Sequence, residues 1–170
     1  MGEAGVFAPD ARLELIEGEI VEMAPIGSPH ASTVALLTEL FVRQGGNLAT
    51  VWVQSPLIAG ERSVPQPDLA LLKPRADRYF NAHPSPADVL LAVEVSDTTL
   101  RFDLGTKVPL YARAGIAEAW VVDIEKRALR VFRDPDPSGY RTSFTVSGGQ
   151  KVGARLLPQV EISVSALFPA

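Results

Sequence analysis

Two short apolar stretches, residues 13–16 and 20–23, flank Glu17-Gly18-Glu19, and an acidic residue followed by glycine between such stretches signals a hairpin turn. The chain is therefore predicted to open with a small antiparallel pair. After the breaker Pro25-Ile26-Gly27-Ser28-Pro29, Val34, Leu37, Leu40 and Phe41 recur at helical spacing until Gly45-Gly46, which predicts an amphipathic helix. Residues 51–58 read as a strand, 60–66 as a polar turn and 67–72 as a strand opened by proline. The proline-rich, polar segment 73–88 reads as a surface loop with room for one helical turn.

Residues 89–95 are a continuous apolar run interrupted by one carboxylate, Glu94. That pattern suits a central strand buried on both faces. Residues 101–114 read as a helix ended by Gly115, and 119–122 as a strand closed by Asp123. Pro109 falls inside this helix, and a proline there removes a backbone donor and crowds the preceding turn, so a kink or a later start is expected. Residues 129–132 and 140–146 read as a hairpin across Asp134-Pro135-Asp136-Pro137-Ser138-Gly139, and 164–168 as a short helical turn. The elements together predict an α/β (α+β) protein.

The length of 170 residues with 46% hydrophobic composition suits one core and one domain. Cysteine is absent, so metal chemistry must use oxygen or histidine ligands. The first residues carry neither a basic leader nor an apolar signal segment, and no run approaches the roughly 20 apolar residues of a membrane span. A cytoplasmic protein without a membrane partner is expected. The net charge of −4 opposes long-range attraction of a polyanion. Acid is concentrated early, at Glu3, Asp10, Glu14, Glu17, Glu19 and Glu22 against Arg12. Base gathers late, at Lys126, Arg127, Arg130, Arg133, Arg141, Lys151 and Arg155, where either a basic face or ordinary solvated strand faces could result.

Glu94 carries the most chemical information, because burying a carboxylate in so apolar a strand costs several kcal/mol unless a cation or donors compensate it. A structural ion pair would do so, and so would a metal. Asp68 opens an apolar strand that could neighbour the one bearing Glu94, and two carboxylates on adjacent strands can share a hard cation. Mg²⁺, with Mn²⁺ able to substitute, would need only Asp68, Glu94 and a backbone carbonyl such as that of Val95, beside waters. Such an ion suits phosphodiester hydrolysis. Zinc fits less well, since His30 and His83 are the only histidines and lie far apart. His30, near the start of the first helix, reads as a phosphate-orienting group or general base, or as a cap. Asp103, Lys107 and Tyr111 share a helix face if Pro109 leaves the helix intact; an exposed Asp103–Lys107 ion pair is the plain alternative. Tyr111 is expected to face the core with its hydroxyl near the site, and Trp120 and Phe132 to be core or interface residues.

The ordered series Glu14-Leu15-Ile16-Glu17-Gly18-Glu19, Ser28-Pro29-His30, Gln66-Pro67-Asp68, Val93-Glu94-Val95-Ser96, Asp103, Lys107, Tyr111-Ala112-Arg113-Ala114-Gly115, Glu118, Trp120 and Val122-Asp123 resembles the Uma family of bacterial restriction-type endonucleases, within the PD-(D/E)XK nuclease superfamily. The likeness spans residues 10–135. It implies a restriction-endonuclease-like core, a central mixed β-sheet flanked by helices, with N-terminal and C-terminal β-hairpins and late strands over 127–170. It also implies Mg²⁺-dependent cleavage of DNA, often by a homodimer. Carried over, it makes Asp68 and Glu94 metal ligands and Glu14 or Glu17 a further acid. The superfamily's lysine position, two residues after Glu94, is Ser96 here, and the resemblance implies that Lys107 supplies the cation instead. The expected function is a Mg²⁺-dependent endodeoxyribonuclease. Its rivals are a noncatalytic dimeric interaction module whose carboxylates form internal ion pairs and a metal-dependent hydrolase of a smaller phosphoester.

Overall fold

The computed structural model describes residues 11–168; Glu3 and Asp10 of the acidic N-terminal stretch lie outside them. The first hairpin is β1 (Leu13–Ile16) and β2 (Glu19–Glu22), joined by Glu17 at φ 52° and Gly18 at φ 91°. Two left-handed residues in succession match the twist of flanking strands. The positive φ at Gly18 favours glycine, and a Cβ there would also displace the Arg62 guanidinium. Helix α1 (Ser28–Gly45) carries a proline in its first turn and buries Thr33, Val34, Leu37, Phe41 and Gly45.

Next come β3 (Thr50–Val53), β4 (Leu69–Leu72) and β5 (Val89–Ser96). The strand predicted over 51–58 stops at Val53 because Gln54 takes φ 41°, which turns the chain out of the pleat. The loop before β5 contains the single helical turn expected there, Pro86–Asp88. After β5 follow α2 (Leu100–Phe102), a π turn (Asp103–Lys107) and α3 (Val108–Arg113). The α-helix that holds Pro109 begins late, at Val108, after the π turn. The Val108 N–H reaches back five residues to the Asp103 carbonyl, so the proline stands in the first turn of α3, where a missing donor costs little.

The chain continues through β6 (Glu118–Asp123), β7 (Ala128–Asp136), β8 (Gly139–Ser147), β9 (Lys151–Ala154) and β10 (Leu157–Ser163), and ends in a 3₁₀ turn, Val164–Leu167. Strands β3 to β8 form one six-stranded sheet in chain order. Pairing is parallel between β5 and β6 and antiparallel elsewhere, because the α2–α3 crossover returns the chain to the same end of the sheet. Every position of β5 and of β6 is buried. One face packs Leu91, Val93, Val95 and Trp120 against α1 and the β9–β10 hairpin; the other packs Ala92, Ala119 and Tyr111. Trp120 is wholly buried, 6.3 Å from Phe41 between ring centres, and Phe132 packs on Tyr140. Among the described residues no helix is long and apolar enough to cross a membrane.

Four of the seven late basic residues are engaged in ion pairs. Arg130 pairs with Asp123, Arg133 with Glu118, Lys151 with Glu161 and Arg155 with Asp134. Glu118 matters most, because its fully buried carboxylate is an unplanned cost unless saturated. One oxygen accepts from Trp120 Nε1 and Arg133 Nε, both at 2.8 Å, and the other from the Arg155 N–H at 2.7 Å. Arg133 also donates to the Gly153 carbonyl at 2.8 Å, so this carboxylate clamps the β9–β10 hairpin to the sheet. Glu118→Ala is expected to lower stability by about 3 kcal/mol or more in urea unfolding and to speed amide exchange selectively in residues 151–163; uniform exchange across the chain would count against the clamp.

Candidate active site

The parity of β5 sends Glu94 to the same face as Ala92, toward the helix that follows. There its carboxylate, 2% exposed, meets two partners from that helix. The Lys107 ammonium lies 3.1 Å away, and the Tyr111 hydroxyl donates to Oε1. Lys107 also pairs with Glu14 of β1 at 2.9 Å and donates to the Gln66 carbonyl at 3.3 Å. Glu14 in turn accepts the Gln66 N–H at 2.6 Å. An ammonium that is itself only 3% exposed thus ties together β1, the segment before β4, β5 and the π turn.

Lys107 does not form the exposed pair with Asp103. Asp103 is buried, and its Oδ2 accepts from Ser96 Oγ at 2.7 Å and Thr99 Oγ1 at 2.6 Å. The π turn starts at Asp103 and ends at Lys107, which explains how both enter the interior while serving different partners. Ser96, at the superfamily's lysine position, holds the acid that begins this turn.

Complete burial pushes the Glu94 carboxyl well above the usual range; Lys107 only partly offsets it, and Asp103, Asp68 and Glu14 add to the rise. Burial alone would lower the Lys107 ammonium, but Glu94 and Glu14 outweigh it and hold the pKa above its ordinary value. Tyr111 is likewise raised, by burial first and then by Glu94. Its hydroxyl therefore stays protonated and donates. The cluster holds more carboxylate than cation, an excess that an additional positive charge would relieve.

Asp68 sits just before β4, beside the end of β5. Its Oδ2 accepts the Val95 N–H at 2.8 Å, and its Oδ1 faces His30 Nε2 at 3.0 Å and Gln54 Nε2 at 3.2 Å. His30 belongs to the first turn of α1, and its Nδ1 is buried without a partner. Glu14, His30, Asp68, Glu94, Asp103 and Lys107 all line one pocket of about 450 Å³. Tyr111 stands behind it, touching Glu94. Val95 adjoins through its backbone. Glu17 is not brought in: it lies exposed in the β1–β2 turn and pairs with Arg113. Sequence reasoning did not single out Gln54 or Gln66 as contributors; only the placement of Gln66 before Pro67-Asp68 hinted at one of them. Among the described residues no group of three or more His, Asp or Glu side chains is arranged to hold a metal ion by itself.

The hydrogen bond to Asp68 raises His30 above its ordinary 6.5 despite burial. Burial would raise Asp68, but the bond and charge of His30 prevail and lower it below 3.8. Stability from His30 is therefore complete below pH 6.5 and fades as pH rises through its folded pKa, whereas that from Asp68 is present above 3.8 and fades as pH falls through its own. The stability difference between wild type and Asp68→Asn is expected to peak at about pH 5 and shrink toward pH 9. The imidazole titration of His30, followed by NMR, should move down toward 6.5 in that variant; an unmoved midpoint would contradict the pairing.

A family model described as "Uma2: Putative restriction endonuclease" matches residues 3–165. No curated protein matches the chain. Among solved structures, a "putative nuclease belonging to DUF820" from Anabaena variabilis is similar in fold, with a TM-score of 0.75 at 13% identity, over 92% of this chain and 89% of that one. At that identity the likeness speaks for the mixed-sheet fold, while the family match extends over nearly the whole sequence, including every residue of the pocket. The chain belongs to the Uma2 family, described as restriction endonucleases.

Proposed function

We propose that the protein is a cytoplasmic, Mg²⁺-dependent endonuclease that hydrolyses DNA phosphodiester bonds, with Mn²⁺ able to substitute. One observation carries this reading: the carboxylates of Asp68 and Glu94 line the same pocket as a buried ammonium, Lys107. The donor set fits a hard cation. It is built of carboxylate oxygens in excess of positive charge, and Mg²⁺ accepts two protein carboxylates if waters complete its shell. Asp68 and Glu94 would hold the ion, with the Val95 carbonyl as a further oxygen. Bound there, it would polarise the phosphate and acidify an attacking water.

The remaining residues serve that arrangement. Tyr111 fixes Glu94 Oε1, and the Val95 N–H fixes Asp68 Oδ2, leaving little rotational freedom at either carboxylate. Lys107 supplies the charge that meets a phosphate oxygen in the transition state, and Glu14 and the Gln66 carbonyl aim its ammonium. His30 positions Asp68 through Oδ1. The homodimer implied by the resemblance belongs to this proposal and is open to light scattering. A noncatalytic interaction module has one observation in its favour: Lys107 is already paired with both Glu14 and Glu94.

Two measurements separate these readings. Saturating Mn²⁺ or Mg²⁺, at about a hundred times the dissociation constant, should add roughly 2.7 kcal/mol to stability, seen as a rise in melting temperature of several degrees. The rise should vanish in Asp68→Asn and Glu94→Gln, and its absence in wild type would favour the noncatalytic module. In a Mn²⁺ cleavage assay on plasmid and oligonucleotide DNA, Lys107→Met is expected to slow turnover by roughly 10²–10³-fold without abolishing the thermal shift. Cleavage equal to wild type in Lys107→Met and Glu94→Gln alike would mean that another protein in the sample does the cutting.

A further inference from the structure

We infer that the pocket receives an unpaired nucleotide of single-stranded DNA, its base laid against an apolar wall that includes Phe102 and Met23, rather than the backbone of an intact duplex. The inference rests on the nuclease reading and narrows its substrate. Its first support is depth. Glu14, Asp68, Glu94 and Lys107 are 4%, 7%, 2% and 3% exposed, so a scissile phosphate must enter the pocket to meet them. A space of about 450 Å³ falls in the range that encloses one small organic ligand. It suits a nucleotide, not a double helix.

The second support is the chemistry of the walls. Besides the carboxylates, Val21, Met23, Ile26 and Phe102 line the pocket. A duplex offers phosphates and groove edges to its binder, with bases stacked out of reach. An unpaired strand offers flat base faces, which stack on aromatic and apolar side chains regardless of sequence. An apolar wall beside a phosphate-cleaving centre has a use only for the second.

Charge is the third support. Exposed Glu22 and Asp97 stand at the pocket and would repel the dense phosphate array of a duplex, which carries one charge per roughly 1.7 Å of axis. Of the late basic residues, Arg130, Arg133, Lys151 and Arg155 are already engaged in ion pairs. Arg12 lines the pocket beside Lys107 and His30, and among the described residues its guanidinium donates one long bond, 3.4 Å, to the Ala24 carbonyl. It is placed to meet a neighbouring phosphate of a single strand.

The test uses fluorescence anisotropy with full-length protein in Ca²⁺. The probes are a labelled 12-nucleotide single strand, its duplex, and a same-length strand of abasic linkers. Single strand should bind at least tenfold tighter than duplex. Phe102→Ala should weaken single-strand binding about tenfold and leave the abasic strand unaffected, with Phe102→Trp restoring it. Arg12→Ala should weaken both strands alike and reduce the salt slope by about 0.7, the value for one phosphate of a single strand. Melting temperatures of the variants guard against misfolding, and Met23→Ala gives an independent reading of the same wall. Duplex bound as tightly as single strand, or Phe102→Ala weakening base-bearing and abasic strands equally, overturns the inference. Duplex cleaved in Mn²⁺ while single strand is spared overturns it too but leaves the nuclease reading standing. Failure of every probe to bind or be cut would remove both.

Discussion

The Lys107 ammonium, held between Glu14 and Glu94 in the interior, is the constraint on which the rest of the structure turns. A lone buried ammonium or carboxylate would cost several kcal/mol, so each of these three groups is stabilised in its place by the others. Meeting that condition requires β1 to lie against the segment before β4 and requires the helix after β5 to direct a lysine inward. The sheet, the N-terminal hairpin and the π turn are in this sense answers to one electrostatic demand. The demand is not fully met, since carboxylates outnumber cations in the pocket, and that surplus supports the proposal of a metal ion there.

The frame of the fold was legible because its signals are strong and local. The all-apolar β5 with Glu94 inside it, the Pro-Asp entry to β4, the helical spacing before Gly45 and the Glu17-Gly18 turn each depend on a few adjacent residues. Asp68 and Glu94 stood out for the same reason, as charges in apolar surroundings. What stayed hidden depends on distant partners or on unusual backbone. Nothing near Lys107 in sequence reveals that its acids are Glu14 and Glu94 rather than Asp103. Gln54 looks like any polar residue in a strand, yet its positive φ ends β3 and sends its amide to Asp68. Pro109 was read as a threat to the helix because the usual four-residue ladder was assumed; a five-residue turn absorbs it.

The late basic residues teach the opposite lesson. Their accumulation in sequence left open either a basic face or ordinary solvated strand faces, and β-pairing places Arg133 beside Glu118 and Arg130 near Asp123. They work as internal cement. Within the pocket the positive charge of Lys107 and Arg12 stands among carboxylates, in a chain whose net charge is −4. Attraction over long distances contributes little, so recognition must come from contacts made after entry.

The π turn also makes the helix sensitive to register. Were the stretch from Asp103 to Lys107 to wind as an ordinary α-helix without losing a residue, each later side chain would be rotated by about one residue's turn, roughly 100°, relative to those before it. Either the acid tied to Ser96 or the lysine tied to Glu94 would then swing out of reach. The winding between these two residues is in effect a ruler, and slack that a surface loop would tolerate has no place in it.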